Sequence, residues 1–469
     1  MKRMMLAACL IAASALVTAQ SQLSAELQAK IDAAAQEVLA KTGVPSASVG
    51  VVQGGRIVFT RAYGSARLAP PLPATADLHY AIGSISKQFT AACVLLLQED
   101  GKLGLDDPIA RYFPELTRAK DVTIRHILSH TSGYEDYAPQ DYTIPAWTKE
   151  TNADKIVHEW ATKPLDFEPG TQYQYSNTNF NIAGLIVEKV SGEPFWTFLT
   201  RRVLKPLGMT HTLDLDADHD RLEPTGYMRN ALGPLRPAIM EAPGWYFADG
   251  EIATTVGDLL IWDISLMNRS LLKPASYAAM ETEQRLTSGQ TARYGLGVQL
   301  AVRDGHRVVA HGGEVGGFVA QNTVFPDDKL AIAVLTNQEA SAAAGSIARA
   351  ITALLMPSPA AATGVPADAA KAETQAKQIL GGLQQGRVDR ALFTANCNFY
   401  FDQTSLDDHR DSLGSLGAVQ TVAQTATALR GGMTFRSFDV TFANGTRVRL
   451  TTYTTNDGKL EQFLLAPIG

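Results

Sequence analysis

The chain has 469 residues, 45% of them hydrophobic and 19% charged, with a formal net charge of −6. That length exceeds what one hydrophobic core usually organises, so two domains are expected. No basic cluster stands out after Lys2-Arg3, which leaves nucleic-acid binding without an electrostatic footprint.

Lys2-Arg3, an apolar run from Met4 to Val17 and the small residues Val17-Thr18-Ala19 read as a secretory signal over residues 1–19. Export to a bacterial periplasm or medium is therefore expected. The run is too short to span a bilayer, and no later segment is apolar and long enough. Leu6-Ala7-Ala8-Cys9 mimics a lipoprotein box but comes too early in the run. Cleavage would leave Cys93 and Cys397, in different expected domains, so no disulfide framework is expected.

Ala47 to Gln53 and Arg56 to Tyr63 alternate like a hairpin around Gly54-Gly55. Gly83-Ser84-Ile85-Ser86-Lys87 then opens an almost wholly apolar helix. This spacing puts a hydroxyl at the helix mouth and an ammonium one turn deeper on the same face. Burial among Phe89, Ala92, Cys93, Leu96 and Leu97 would lower the lysine pKa, which it must do to accept a seryl proton. Backbone N–H groups at the helix start are ready donors to an oxyanion. His126 and His130 stand at i,i+4 spacing, but no general-base Glu falls between them and no third ligand stands out, so no metal is assigned.

Tyr175-Ser176-Asn177 follows a Pro169-Gly170 turn and precedes a helix through Ile182, Leu185 and Ile186 to Gly192. A second Ser-x-x-Lys, Ser270-Leu271-Leu272-Lys273, is followed at once by Pro274 and reads as a surface loop. His311-Gly312-Gly313 stands just before a strand-like run, Val319 to Val324. Val298 to Val302, Val308 to Ala310, Val319 to Phe325 and Leu330 to Asn337 read as strands.

Pro357, Pro359 and Pro366 among Ala, Gly and Thr mark a linker over 356–370, and its composition suggests few contacts across it. Residues 371–469 read as a small α+β domain. Its expected helices are Ala372 to Leu383, Val388 to Phe393 and Leu406 to Leu416; its strands are Thr434 to Phe442, Thr446 to Tyr453 and Lys459 to Leu465. Asn444-Gly445 and Asp457-Gly458 turn between the strands. This part loosely resembles cystatin-like or nuclear-transport-factor-like appendages, and no catalytic constellation is read in it.

The ordered triple of Ser84-x-x-Lys87, Tyr175-x-Asn177 and His311-x-Gly313 resembles the serine β-lactamase and penicillin-binding-protein superfamily. The branch is that of class C β-lactamases, D-aminopeptidases, DD-carboxypeptidases and family VIII esterases. Tyr80-Ala81-Ile82, Leu105 to Ile109, Tyr112-Phe113-Pro114, Ile127 to Gly133 and Ala333 to Asn337 match the same branch, and the resemblance runs from about Ala25 to about Leu355. It implies an α+β fold over residues 20–355: an antiparallel sheet flanked by helices, with a helical subdomain between its first and last strands.

The resemblance also implies roles. Ser84 would form an acyl-enzyme, with Lys87 and Tyr175 sharing the proton traffic. The oxyanion would meet the backbone N–H groups of Ser84 and Glu314. Asn177 would hydrogen-bond the substrate, and His311 stands where class C β-lactamases carry lysine. Two departures bear on substrate. Gly312 replaces the Thr or Ser that relatives use on a substrate carboxylate, and Gly250-Glu251 stands where many relatives have Gly-Gly. With Asp249, Glu251 and Glu314 near the cleft, a neutral ester or a substrate with a free amine is expected over an anionic one. The implied function is an exported serine hydrolase without cofactor, acting on a small molecule or short peptide. A class C-like β-lactamase and a penicillin-binding sensor that acylates without turnover remain alternatives.

Overall fold

The computed structural model describes residues 23–357 and 370–468. The expected signal segment and nearly all of the expected linker lie outside them. A seven-stranded antiparallel sheet runs in the order Leu72–Pro73, Arg56–Arg67, Ser46–Gln53, Leu330–Thr336, Phe318–Phe325, His306–Val315, Gln299–Arg303. The strands Ser46–Gln53 and Leu330–Thr336, early and late in the N-terminal part, thus lie side by side, with Ala47 opposite Thr336 and Gln53 opposite Leu330.

The two central strands are buried on both faces, which explains their unbroken apolar runs. Val49, Val51, Ile332 and Val334 pack in one core with the helices Ala25–Thr42 and Ala343–Leu355. Ala333 and Leu335 belong to the other core, with the helices Ser86–Glu99, Asn177–Ser191 and Val256–Asn268. The last of these lies close on the sheet: a Cβ on Gly50 would come within 2.6 Å of Leu260 Cδ1.

The C-terminal part has its own core, built from Ile379, Leu380, Leu383, Phe438, Val440, Leu450 and Phe463 among others. Helix Ala370–Leu383 opens it, and a four-stranded antiparallel meander closes it. Two sequence expectations change here. Residues 388–393 form only a 3-10 turn, Arg390–Leu392, and the helix follows it at Ala395–Tyr400. A first strand, Val419–Arg430, precedes the three expected ones. Its side chains are mostly exposed, so the apolar signal that marks a buried strand is missing.

The expectation of few crossing contacts is also overturned. Arg236 and Asn230 grip the Asp408 carboxylate across the boundary, Asn230 Nδ2 at 3.0 Å. Asp141 N donates to Gln462 Oε1 at 2.8 Å, and Gln462 Nε2 returns a bond to Asp141 Oδ2 at 2.8 Å. Leu464 packs with Tyr142, Ile144 and Trp147 in a cluster shared by the two parts.

Candidate active site

Ser84 sits in a single 3-10 turn, Gly83–Ile85, that runs into the helix Ser86–Glu99. Two glycines let this turn press against the strand His306–Val315. Gly83 has φ +48°, and a Cβ there would lie 2.7 Å from Glu314 N. A Cβ on Gly313 would lie 1.8 Å from Ile82 O and 3.0 Å from Ser84 N. The backbones of Ser84 and Glu314 therefore meet at one edge of the sheet. His311-Gly312-Gly313 lies within the strand, opposite Asn322, Gln321 and Ala320. Its glycines masked that strand in the sequence.

Lys87 is fully buried. Its Nζ donates to Ser84 Oγ at 2.8 Å, to Asn177 Oδ1 at 2.7 Å and to the Asp249 carbonyl at 2.8 Å. Burial lowers its pKa to about 8; the carboxylates of Asp249 and Asp136 oppose that shift and Arg430 adds to it. Tyr175 is held over this group, its ring centroid 5.1 Å from Nζ. Its hydroxyl is buried and makes no hydrogen bond of ordinary geometry. Burial holds its pKa well above the usual phenol value, while nearby Ser84 and Arg430 favour the ionised form.

His130 orients the tyrosine. The rings lie 4.2 Å apart, and His130 Nδ1 accepts from Ser176 N at 3.1 Å. Its pKa is held well below the ordinary value by burial, with the positive charge of Lys87 adding to the effect. His126 instead caps the helix Ile124–Leu128 with Thr123. The two histidines of the i,i+4 pair thus have separate jobs. Ser270 and Lys273 of the second Ser-x-x-Lys sit exposed before the helix Pro274–Met280.

Asn177 opens the helix Asn177–Ser191. Its backbone N–H donates to Asp136 Oδ1 at 2.9 Å, and its Nδ2 to the Ala138 carbonyl at 3.1 Å. Asn177 also lines the cleft. His311 bonds through Nδ1 to the Gly312 carbonyl at 2.5 Å and through Nε2 to the Tyr294 hydroxyl at 2.8 Å. A backbone carbonyl can only accept, so Nδ1 carries the proton and Tyr294 donates to Nε2. Burial lowers the His311 pKa to about 3. The residue is neutral and does not reproduce the lysine charge of class C β-lactamases.

Ser84, Tyr175, Asn177 and His311 line a cleft of about 600 Å³, with Lys87 buried behind Ser84. The expected acidic lining is partly corrected. Asp249 lines the cleft, but its carboxylate accepts from Tyr137 OH and Asn181 Nδ2, each at 3.0 Å, and burial raises its pKa to about 7. Glu251 is buried away from the cleft lining, and burial raises its pKa well above the ordinary value. Glu314 does line the cleft, with Oε1 accepting from Ala340 N at 2.6 Å. Asp141 and Glu241 join it, and so do three arginines, Arg349, Arg430 and Arg449. Trp147, Trp245 and Tyr137 form an aromatic wall.

Sequence reasoning missed Asp136, the aromatic wall and every residue from the C-terminal part. The signal for Arg430 is Arg430-Gly431-Gly432, a turn sequence that ends a strand without apolar alternation.

A family profile described as Beta-lactamase matches residues 31–355. Penicillin-binding protein 4* of Bacillus subtilis (strain 168) is 29% identical over 308 residues, 61% of this chain and 67% of the relative. A D-aminopeptidase of Gluconobacter oxydans (strain 621H) is 25% identical over 370 residues, 76% of this chain and 66% of the relative. The chain thus spans about two thirds of the length of these curated relatives. Among solved structures, a D-stereospecific amidohydrolase from Streptomyces sp. superposes with a TM-score of 0.61 at 27% identity, covering 71% of this chain and 99% of its own. The octameric penicillin-binding protein homologue from Pyrococcus abyssi shares the fold over 93% of this chain and 99% of its own, with a TM-score of 0.61 at 20% identity. With a profile match over more than half its length, the chain belongs to the Beta-lactamase family, among the serine hydrolases related to penicillin-binding proteins.

Proposed function

We propose that the protein is an exported serine hydrolase that cleaves an ester or amide bond through an acyl-enzyme on Ser84, in the manner of an esterase or D-amino-acid peptidase. The observation that carries this reading is the 2.8 Å contact between Lys87 Nζ and Ser84 Oγ in a site where burial brings the lysine pKa to about 8. A neutral Lys87 can take the seryl proton as Oγ bonds to the substrate carbonyl carbon. The carbonyl oxygen takes the negative charge and would face the N–H groups of Ser84 and Glu314. Collapse of the intermediate breaks the bond to the leaving amine or alcohol, which takes a proton from the Lys87–Tyr175 pair. Water then attacks the acyl-enzyme by the same route in reverse. Asn177 and Gly313 frame the substrate, and His311 does so as a neutral group.

The aromatic wall suits an apolar acyl side chain, and Asp141, Glu241 and Glu314, whose pKa values burial raises, offer a substrate amine hydrogen-bond acceptors rather than fixed negative charges. Relatives named D-aminopeptidase and D-stereospecific amidohydrolase agree with that chemistry. A second reading, a class C-like β-lactamase, is favoured by two cleft arginines, Arg349 and Arg449, which could receive a carboxylate. Export rests on the N-terminal signal in the sequence; no helix among the described residues is long and apolar enough to cross a membrane.

Steady-state hydrolysis of p-nitrophenyl esters, D-amino-acid anilides and nitrocefin tests the reading. A higher kcat/KM on the esters or D-amino-acid anilides supports it. Preference for nitrocefin gives the β-lactamase reading the lead. One acyl group per protein without turnover supports the sensor.

A further inference from the structure

The strand Val419–Arg430 and its partner Met433–Phe442 form a hairpin whose tip enters the catalytic cleft. The tip turns through Gly431 and Gly432, at φ +56° and +68°. Two successive residues with positive φ make the tight turn whose twist matches the strands. Gly431 lies on Pro139 and Gly432 on Asp166, where a Cβ would come within 3.2 Å and 3.3 Å of their side chains. At the end of the first strand, Arg430 forms a parallel bridge with Tyr175.

The Arg430 side chain then shares its acceptors with the tyrosine loop. Its Nε donates to Asp136 Oδ2 at 2.9 Å, while Asn177 N donates to Oδ1 of the same carboxylate at 2.9 Å. Its Nη2 donates to the Ala138 carbonyl at 2.8 Å, which also accepts from Asn177 Nδ2 at 3.1 Å. The remaining Nη1 reaches the Tyr453 hydroxyl at 3.2 Å. The guanidinium carbon lies 5.2 Å from the Tyr175 ring centroid, within cation–π range. The Asp136 side chain is wholly buried. Without Arg430 that buried carboxylate would keep its backbone donors but lose its counter-ion.

We propose that Arg430 is a positioning residue for the catalytic loop: it fixes Tyr175 and Asn177 through Asp136 and Ala138 and lends the Lys87–Tyr175 pair a positive neighbour, so that the site is complete only with the C-terminal domain docked. The inference rests on the seryl-hydrolase reading above. Around Lys87 and Tyr175 the facing groups are Asp136, Tyr173, Asp249, His130, His311, Tyr294 and Arg430. Arg430 is the one permanent cation among them, and it opposes protonation of Lys87 and favours ionisation of Tyr175. Its removal should raise both pKa values, and the acid limb of the rate profile should move to higher pH.

The test is the rate at which a fluorophosphonate labels Ser84, measured against pH in the full chain, because this probe reads the nucleophile without knowledge of the substrate. Arg430→Ala, Arg430→Gln and Arg430→Lys are compared, each checked by thermal melting. Arg430→Gln keeps the stem to Cδ and an N–H donor near the position of Nε, which bonds Asp136, and it serves if the alanine variant does not fold. Loss of about ten- to a hundredfold is expected in the Ala or Gln variant, the range of one charge-assisted hydrogen bond. The acid limb should move up in pH in either neutral variant. Arg430→Lys should keep the limb in place, because it keeps the charge, while losing part of the rate with the fork. A neutral variant that labels at the wild-type rate, or whose limb does not move, overturns the proposal. Wild-type protein that reacts elsewhere than at Ser84 overturns the seryl reading itself, and that result is distinct from any failure of Arg430.

Discussion

Lys87 acts as a base only when neutral, so pH is the most direct probe of a single residue in this site. Burial brings its pKa to about 8, and the nearby Asp249 and Asp136 carboxylates keep it from falling further. Below that pH the lysine is protonated and cannot accept the seryl proton; above it the base form dominates. The labelling rate should therefore rise as pH increases through about 8 and level off beyond. Asp249→Asn, which removes an opposing negative charge, should move that rise to lower pH. An unchanged midpoint in this variant would show that the titrating group is not Lys87. Lys87→Ala and Tyr175→Phe should each cost several orders of magnitude in hydrolysis, and the double variant should be hardly worse than either. Groups that move one proton together are strongly non-additive. Loss factors that multiply would mean that the two act independently.

Among the elements, the contact between the serine turn and the strand His306–Val315 is the most sensitive to substitution. A Cβ on Gly313 collides with Ile82 O at 1.8 Å, whereas one on Gly312 meets only Gln321 Oε1 at 3.6 Å and Ala320 O at 3.7 Å. Gly313→Ala should therefore part turn from strand and nearly abolish labelling, while Gly312→Ala should fold and label normally. Equal behaviour of the two variants in melting and labelling would contradict the packing described. The same contrast explains what the sequence could and could not convey. Ser84, Lys87 and Tyr175 were legible because local spacing puts a hydroxyl and an amine on one helical face and because the three motifs occur in order. The strand holding His311 was only half legible, since two glycines carry no alternation. The strand Val419–Arg430 was illegible, because an edge strand with an exposed polar face has no hydrophobic period. Arg430 was lost with it, for no local pattern tells an arginine at a hairpin tip that it will meet a buried aspartate nearly three hundred residues away.

At the scale of the whole molecule, linker composition misled. A Pro- and Ala-rich connection says how two domains are tethered and nothing about how their surfaces fit. Here Asp408, Gln462, Leu464 and Arg430 all find partners across the boundary. A chain ending after Leu355 would expose the Tyr142, Ile144 and Trp147 cluster, leave Asp136 without its counter-ion and open one wall of the cleft. Such a truncation should aggregate, or stay soluble and label at least about tenfold more slowly than the full chain. A truncated protein that melts and labels like the full chain would show the docking to be dispensable. The central claim, a seryl acyl-enzyme, is tested most directly by mass spectrometry of protein acid-quenched during turnover of a p-nitrophenyl ester. The account predicts one acyl group per chain on the peptide that holds Ser84, absent in Ser84→Ala and unaffected by Ser270→Ala. An acyl group on any other residue, or turnover that persists in Ser84→Ala, would contradict it.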